Sequence, residues 1–195
     1  GGGKYALFAT QLLQRLKAVK VLGHLLKNLF LFPTTATSFY RYDAGWKSVY
    51  VLRLTTREKE KIKKAFAVVF RQVNYTHPRK VYGSVIEDRG TQVTFSALGQ
   101  EVVNILGTKR GVAMKEQWLR QHRAIKMRMA SMLQELLPEF EVHTAGFTSI
   151  DVTRKGITKA YGLRQIERHL GIHIREMLFV GDAIFPGGND YAVVE

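Results

Sequence analysis

The sequence predicts an α/β fold in which a core formed by both ends of the chain is interrupted by an α+β insert. Its middle repeats the order helix, two strands, helix, two strands, which is typical of one antiparallel sheet covered by two helices. After Gly156 a helical stretch leads into the apolar run Met177–Val180, as expected for a strand buried on both faces of a parallel sheet. We therefore assign residues 1–54 and 155–195 to the core and residues 55–154 to the insert.

Composition restricts the class of protein. The 195 residues are 46% hydrophobic and 11% aromatic, which predicts an ordered globular chain. There is no cysteine, so disulfides and thiolate metal sites are excluded, and a reducing, cytoplasmic location is expected. No apolar run reaches the roughly 18 residues of a membrane span. The net charge of +14 fits either an enzyme that handles anions or a protein that binds nucleic acid.

The first part of the core has three predicted elements. Apolar residues at helical spacing predict a helix over residues 4–17. The run Leu29–Phe32 predicts a buried strand, which Pro33 ends. Aromatic and β-branched residues on both sides of Gly45 predict a hairpin over residues 38–54.

The insert begins with a helix signal. Thr55 is suited to cap a helix, and Glu58 stands three residues later, as in a capping box. Residues 81–88 and 92–98 then alternate like strands. A long amphipathic helix is expected over residues 112–137, with Pro138 at its end, and its apolar face would hold Trp118, Ile125, Met129, Leu133 and Leu136. A last strand pair is expected over residues 140–144 and 149–152, and a helix of the core follows over residues 157–170.

The candidate chemistry lies at the carboxyl end of the last predicted strand. Asp182 follows that strand directly, and ligands of open parallel sheets bind beyond such ends. The loop continues through Gly187 and Gly188 to Asn189 and Asp190, which supplies the oxygen ligands that Mg²⁺ prefers. The alternative interpretation is a glycine-rich surface turn with solvated acids. Lys159, at the start of the preceding helix, could neutralise phosphate charge or be an ordinary surface lysine.

These residues resemble two motifs of the haloacid-dehalogenase superfamily. One is Lys155–Gly162 around Lys159, and the other is Met177–Asp182 with the Pro-Gly-Gly-Asn-Asp sequence at 186–190. The similarity is greatest to the branch with a large α+β cap, which includes sugar phosphatases and eukaryotic-type phosphomannomutases. Segments 86–90, 97–100 and 148–152 also resemble cap segments of that branch.

The resemblance implies a Rossmann-like core, an α+β cap at residues 55–154, and Mg²⁺-dependent phosphoryl transfer through an aspartyl-phosphate. Lys159 would be catalytic, and Asp182, Asn189 and Asp190 would hold the metal. The cap would bind the sugar phosphate through a small polar set. Its members are Arg89, Ser149 and Asp151.

Two departures from the family pattern affect the expected activity. No Asp-x-Asp-Gly-Thr occurs in these residues, so the nucleophile is missing and the chain as given is expected to be inactive, with both ends truncated. Gln100 stands where the mutase pattern has an arginine, and glutamine cannot make a charged, bidentate phosphate contact. We therefore favour a phosphatase, with phosphomannomutase as the alternative.

We expect the protein to bind a small phosphorylated substrate and not to bind a membrane. A homodimer is possible on the sequence alone. A second class of function is a non-catalytic fragment that binds an anion or nucleic acid. Two helical stretches carry the basic residues that such binding would use. No known nucleic-acid motif accompanies them, so we favour the enzyme. The basic residues are Arg57, Lys59, Lys61, Lys63 and Lys64 in one stretch, and Lys115, Arg120, Arg123, Lys126 and Arg128 in the other.

Overall fold

The computed structural model describes residues 3–181, 184 and 190–194. The chain forms two compact units. Unit one consists of residues 1–53 and 156–195, and unit two runs from Leu54 to Lys155. None of the helices in the described ranges is long and apolar enough to cross a membrane.

Unit one starts with the predicted helix, although that helix is not regular. Its parts are α1 (Tyr5–Phe8), a π-helical segment (Ala9–Leu13) and α2 (Gln14–Ala18). The short helix α3 (Gly23–Leu26) follows, and then β1 (Phe30–Leu31), β2 (Ser38–Tyr42) and β3 (Trp46–Val51) form an antiparallel sheet in the order β1-β2-β3. The predicted hairpin is thus confirmed. The later elements are α8 (Lys159–Leu170) and two 3₁₀ turns (Ile174–Glu176 and Tyr191–Val193).

A strained turn, α4 (Pro33–Ala36), joins β1 to β2. Thr34, Thr35 and Ala36 have φ values of 49°, 56° and 62°, in the left-handed region that costs an L-residue about 1–2 kcal/mol. Side chains hold the turn, because the Thr37 hydroxyl donates to the Thr34 carbonyl over 2.7 Å. The Tyr50 hydroxyl donates to the Ala36 carbonyl over 2.8 Å. One buried and one partly buried hydrogen bond therefore stabilise a conformation that the residue types disfavour.

Unit two has the predicted order of elements. They are α5 (Thr56–Gln72), β4 (Ile86–Asp88), β5 (Val93–Ser96), α6 (Val102–Leu106), α7 (Thr108–Leu136), β6 (Phe140–Ala145) and β7 (Ser149–Arg154). The four strands form an antiparallel sheet in the order β4-β5-β7-β6. The short helix α6 was not predicted from the sequence. The capping box of α5 is confirmed, since the Thr55 side chain accepts from the Glu58 N–H and Glu58 accepts from the Thr55 N–H.

The sheet of unit two separates apolar from polar side chains by the two-residue period of its strands. Val93 and Phe95 of β5 and Ile150 and Val152 of β7 are buried in the core with α5 and α7. Residues between them on the strands point to the opposite face and are polar. They include Gln92, Thr94, Ser96, Asp151 and Thr153, all of them buried.

Helix α7 differs from the predicted helix in two ways. It begins at Thr108 instead of Val112, and its backbone is not helical at His122, where φ is −125° and ψ is 16°. Leu136, expected on the core face, is 43% exposed, while Leu137 is fully buried. The helix ends at Leu136, so the following residue leaves the helical period and takes the core position.

The prediction for residues 177–180 is wrong within the described structure. This run is not a strand, and Leu178 and Val180 are 91% and 83% exposed. A strand needs a neighbouring edge with which to exchange backbone hydrogen bonds. The described strands of unit one pair only among themselves, in an antiparallel sheet and not the parallel one expected. Hydrophobicity alone therefore does not make this segment a buried strand.

Candidate active site

A lysine and an aspartate from distant parts of the chain meet in unit one. Lys159 is the first residue of α8, and the Thr158 side chain caps that helix by accepting from the Tyr161 N–H over 3.2 Å. The Lys159 ammonium lies 2.6 Å from Oδ1 of Asp190. The Asp190 side chain is 3% exposed and that of Lys159 is 22% exposed. The structure thus brings together two of the predicted site residues, 31 positions apart.

The other two predicted metal ligands, Asp182 and Asn189, lie outside the described residues. Within the part of the chain that is described, no group of three or more His, Asp or Glu side chains could hold a metal ion. Asp190 nevertheless has suitable donor chemistry, because its carboxylate is buried and offers hard oxygen atoms. Oδ1 of that carboxylate is already paired with the Lys159 ammonium.

A cleft of about 520 Å³ adjoins this pair within unit one. Lys159 and Thr158 line it beside apolar residues of α8 and of the 177–180 segment. The strained turn α4 also contributes Thr35 and Ala36 to its wall. Sequence reasoning missed this contribution, because no residue type in Pro33–Ala36 signals a left-handed turn. Among the described residues that line this largely apolar cleft, Lys159 is the cationic one and Glu176 the acidic one, and a charge there interacts more strongly than in water.

Two of the predicted substrate residues of unit two, Arg89 and Asp151, belong to a polar cluster on the sheet. Oδ1 of Asp151 accepts from the Thr94 hydroxyl over 2.7 Å, and that hydroxyl accepts from the Gln92 amide over 2.8 Å. Burial raises the pKa of Asp151, and the nearby positive charge of Arg89 opposes this shift. Ser149 precedes Asp151 by two residues on β7 and therefore shares its face of the sheet. Arg89 and Asp151 thus interact electrostatically, and Ser149 lies on the same strand face.

Gln100 orients Arg89. Nη2 of Arg89 donates to Oε1 of Gln100 over 2.9 Å, and Nε donates to Oε2 of Glu87 over 2.7 Å. The Gln100 amide also donates to the Thr94 carbonyl over 3.3 Å. Glutamine cannot supply the charge of an arginine at this position, but here it holds a neighbouring guanidinium in place.

Two lysines of α7 add positive charge near this cluster, and sequence reasoning assigned them only to a basic helix. Burial lowers the pKa of Lys115, and the nearby charge of Arg89 lowers it further. Burial also lowers the pKa of Lys126 to about 8, with Asp151 acting in the opposite direction. Lys126 is 4% exposed, and its ammonium donates to the Gly146 carbonyl over 2.7 Å. The positive charge of Lys115 also lowers the pKa of Lys126, so the two lysines lie near each other.

Much of the charge on the first basic stretch is paired with acids. Lys59 lies 2.9 Å from Asp88, Lys63 lies 3.1 Å from Glu60, and Lys61 also pairs with Glu139. A lysine already paired with a carboxylate has less to gain from a phosphate. This face of α5 is therefore a weaker candidate for nucleic-acid binding than its sequence suggests.

Solved structures of other proteins share the fold of this chain. The chain resembles the IMP-nucleotidase of Plasmodium falciparum with a TM-score of 0.50, at 10% identity over 90% of this chain and 42% of the nucleotidase. It also resembles a structure described as showing a conserved trigonal-bipyramidal intermediate in a phosphoryl-transfer superfamily. That match has a TM-score of 0.50 and 17% identity and covers 98% of this chain and 67% of the other. At such identities these likenesses bear on the fold alone.

A further similar structure is the sucrose-phosphatase from Synechocystis sp., solved with sucrose and phosphate. Its TM-score is 0.48 at 10% identity, and the match covers 99% of this chain. The chain spans 63% of the length of that protein. No curated protein sequence matches this chain.

The sequence match to a known family extends across unit two and through the Lys159–Asp190 pair. The matching family is described as eukaryotic phosphomannomutase, and the match covers residues 55–195. The mixed α/β fold and the resemblance to the haloacid-dehalogenase superfamily are thereby confirmed. The chain belongs to the eukaryotic phosphomannomutase family.

Proposed function

We propose that the whole protein transfers phosphoryl groups on a hexose phosphate in a Mg²⁺-dependent reaction, as a phosphomannomutase. The observation that carries this proposal is the buried Lys159–Asp190 ion pair, in a chain that belongs to the phosphomannomutase family. Phosphoryl transfer needs mainly positioning and positive charge, and a lysine held at 2.6 Å by a buried carboxylate supplies both.

Each residue of unit one would have a distinct task. Lys159 would stabilise the charge of the phosphate and of the attacking carboxylate. Asp182, Asn189 and Asp190 would hold Mg²⁺ through their side-chain oxygen atoms. When bound, that ion would neutralise charge on the transferring phosphoryl group. Asp190 also keeps the Lys159 ammonium oriented.

Unit two would recognise the sugar phosphate. Arg89, held by Glu87 and Gln100, is suited to bind phosphate oxygens. Asp151 and Ser149 would accept hydrogen bonds from sugar hydroxyls. The buried network behind Asp151 fixes its orientation, so it offers the sugar a preorganised acceptor.

The second candidate is a sugar-phosphate phosphatase, and Gln100 favours it. A mutase must hold phosphate in two orientations of the sugar, and the loss of a cation would weaken that grip. Lys115 and Arg89 nevertheless leave positive charge in the same place. Family membership therefore leads us to place the mutase first and the phosphatase second.

The nucleophile is a separate part of the proposal. The 195 residues contain no Asp-x-Asp-Gly-Thr, so we propose that they do not turn over substrate without a nucleophilic aspartate supplied elsewhere. The coding sequence before Gly1 tests this directly, since it should encode that motif. Mg²⁺-dependent turnover by the 195-residue chain alone would contradict this part.

The activity test uses the whole protein with mannose 1-phosphate and mannose 6-phosphate. A mutase interconverts them without net release of inorganic phosphate, whereas a phosphatase releases it. Lys159→Met should reduce kcat by at least about 100-fold, since it removes positive charge where charge develops. Lys17→Met, at an exposed lysine of α2, is the matched control and should leave kcat unchanged. Neither interconversion nor release with any hexose phosphate would contradict the proposed function.

The non-catalytic alternative remains testable. A chain that binds RNA through its basic helices should retard the electrophoretic mobility of RNA at about 50 mM salt. Its affinity for RNA should fall steeply as the salt concentration rises. Absence of a shift at that salt removes this alternative. A cytoplasmic location and a homodimer are further proposals, which cell fractionation and sedimentation of the whole protein would test.

A further inference from the structure

Unit two contains a second cleft, with a volume of about 540 Å³, which is within the range typical of small-ligand sites. One wall is a single face of α7, and the other is the segment that follows α5. None of its twelve lining residues is charged, although 24% of the whole chain is. The α7 face comprises Met114, Gln117, Trp118, Gln121, His122 and Ile125.

The break in α7 occurs at this cleft. Nδ1 of His122 lies 3.0 Å from the Trp118 carbonyl. A carbonyl can only accept, so Nδ1 of His122 carries a proton. The rings of His122 and Trp118 stack at 4.9 Å with an angle of 7° between their planes. Trp118 is 5% exposed and His122 is half-buried, so His122 is the ring that a ligand can reach.

The opposite wall is also aromatic and uncharged. His77 is exposed and packs edge-on against Tyr75, with ring centroids 5.1 Å apart. The Tyr75 hydroxyl is buried and has no hydrogen-bond partner in the described structure. Asn74 begins this wall with a φ of 50°. The cleft therefore combines rings on both sides with amide groups that can both donate and accept.

This combination selects a ligand class. The absence of any charged lining residue disfavours phosphates and carboxylates, which need a cation. A flat ring can extend the stack of two rings that already exists. Gln117 and Gln121 are both exposed, and glutamine amides bind the edge of an adenine through paired hydrogen bonds. We propose that this cleft binds an uncharged purine base or nucleoside, stacked on His122 and contacted at its edge by Gln117 and Gln121.

The proposal is independent of the sugar-phosphate function and can be tested on the 195-residue chain. The chain has two tryptophans, so Trp46→Phe leaves Trp118 as the single tryptophan, whose emission is excited selectively at wavelengths that tyrosine does not absorb. Titration with adenosine should change the fluorescence of this variant and saturate below about 10 mM. In the same background, Gln121→Ala should weaken binding by about fivefold, as expected for loss of a hydrogen bond. Gln72→Ala, at an exposed glutamine outside the cleft, should have no effect.

Two further ligands test whether the cleft selects an uncharged purine over a phosphate or a sugar. AMP should bind within about threefold of adenosine, because no cation lines the cleft. Methyl mannoside should not bind in a manner that Gln121→Ala weakens. The proposal is overturned if adenosine does not bind at about 10 mM, or if Gln121→Ala and Gln72→Ala have equal effects on its binding. It is also overturned if AMP binds more than tenfold tighter than adenosine, or if Gln121→Ala weakens the binding of methyl mannoside.

Discussion

Glu58 joins the two ends of unit two, and its removal should loosen them. Its carboxylate completes the capping box of α5, accepting from the Thr55 N–H over 2.6 Å. It also accepts two hydrogen bonds from Arg154 at the end of β7, each 2.9 Å long. Unit two runs from Leu54 to Lys155, so this contact connects the first turn of α5, near the start of the unit, to its last strand. Glu58→Gln keeps an acceptor for the cap but removes the charged pair.

The solvent exposure of Glu58 and Arg154 determines how much their ion pair contributes to stability. The side chains of Glu58 and Arg154 are 27% and 41% exposed, so solvent screens their attraction, and a bidentate pair of this kind contributes about 1 kcal/mol. Glu58→Gln should therefore lower the free energy of unfolding by about 1 kcal/mol. Glu58→Ala also loses the cap and should cost about 2 kcal/mol. For a unit of this size, 1 kcal/mol corresponds to roughly 5 °C in Tm.

The pH dependence provides a second readout. Hydrogen bonding to Arg154 is the largest cause that holds the pKa of Glu58 at about 2, below its usual 4.5. A carboxyl whose pKa is depressed by folding contributes stability that is fully present above pH 4.5 and is lost as pH falls toward 2. The wild-type chain should therefore lose more stability between pH 5 and pH 3 than Glu58→Gln does.

The assay is urea unfolding followed by circular dichroism, with a double-mutant cycle of Glu58→Gln and Arg154→Gln. The coupling energy of the cycle should be about 1 kcal/mol. Glu60→Gln is the matched control, since Glu60 lies on the same helix in an exposed pair with Lys63 and should change stability by less than about 0.5 kcal/mol. If Glu58→Gln matches this control and the coupling is near zero, the contact does not join the ends of the unit.

Three further changes test other parts of the structure. Burial lowers the pKa of Lys126 in the folded chain to about 8, so the unfolded chain binds more protons between pH 8 and 10.5. The free energy of unfolding of the wild-type chain should therefore rise by up to about 3 kcal/mol across this range. Lys126→Met should abolish this rise, and comparison of urea midpoints at the two pH values checks it. Gly99→Ala should destabilise unit two by more than about 2 kcal/mol, since its φ is 87° and a Cβ would lie 2.2 Å from the Tyr82 carbonyl oxygen; unchanged urea unfolding would contradict this. Lys159→Met should cost about 2–3 kcal/mol in unit one, because Asp190 stays buried without its ammonium partner, and a restored midpoint in the Lys159→Met, Asp190→Asn double variant would support that cause.

The positive charge near Arg89 changes how Gln100 is interpreted. From the sequence, glutamine at this position suggested a weaker phosphate site. In the structure Gln100 holds Arg89, while Lys115 and Lys126 approach from α7, which is distant in sequence. The local sequence does not reveal this, because the charge comes from a helix that joins the cluster only after folding.

Local patterns were sufficient for most of unit two. The capping box at Thr55, the two-residue alternation of β5 and β7, and the apolar face of α7 each depend on neighbours within a few residues. Such interactions join near neighbours in the sequence, so the sequence contains most of their signal, although it misplaced Leu136 on the core face of α7. The spacing of Lys159 and Asp190 within known motifs also indicated the family.

Tertiary structure decided the features that depend on distant partners. The apolar run Met177–Val180 had the composition of a buried strand, but a strand also needs a free neighbouring edge, which composition cannot encode. The left-handed turn at Thr34–Ala36 exists because hydrogen bonds to its backbone carbonyls offset its local strain. The pairing of Lys159 with Asp190 likewise joins residues that are 31 positions apart in the sequence. The sequence was thus informative where the energetics are local, and the fold determined the site where stability comes from contacts between remote residues.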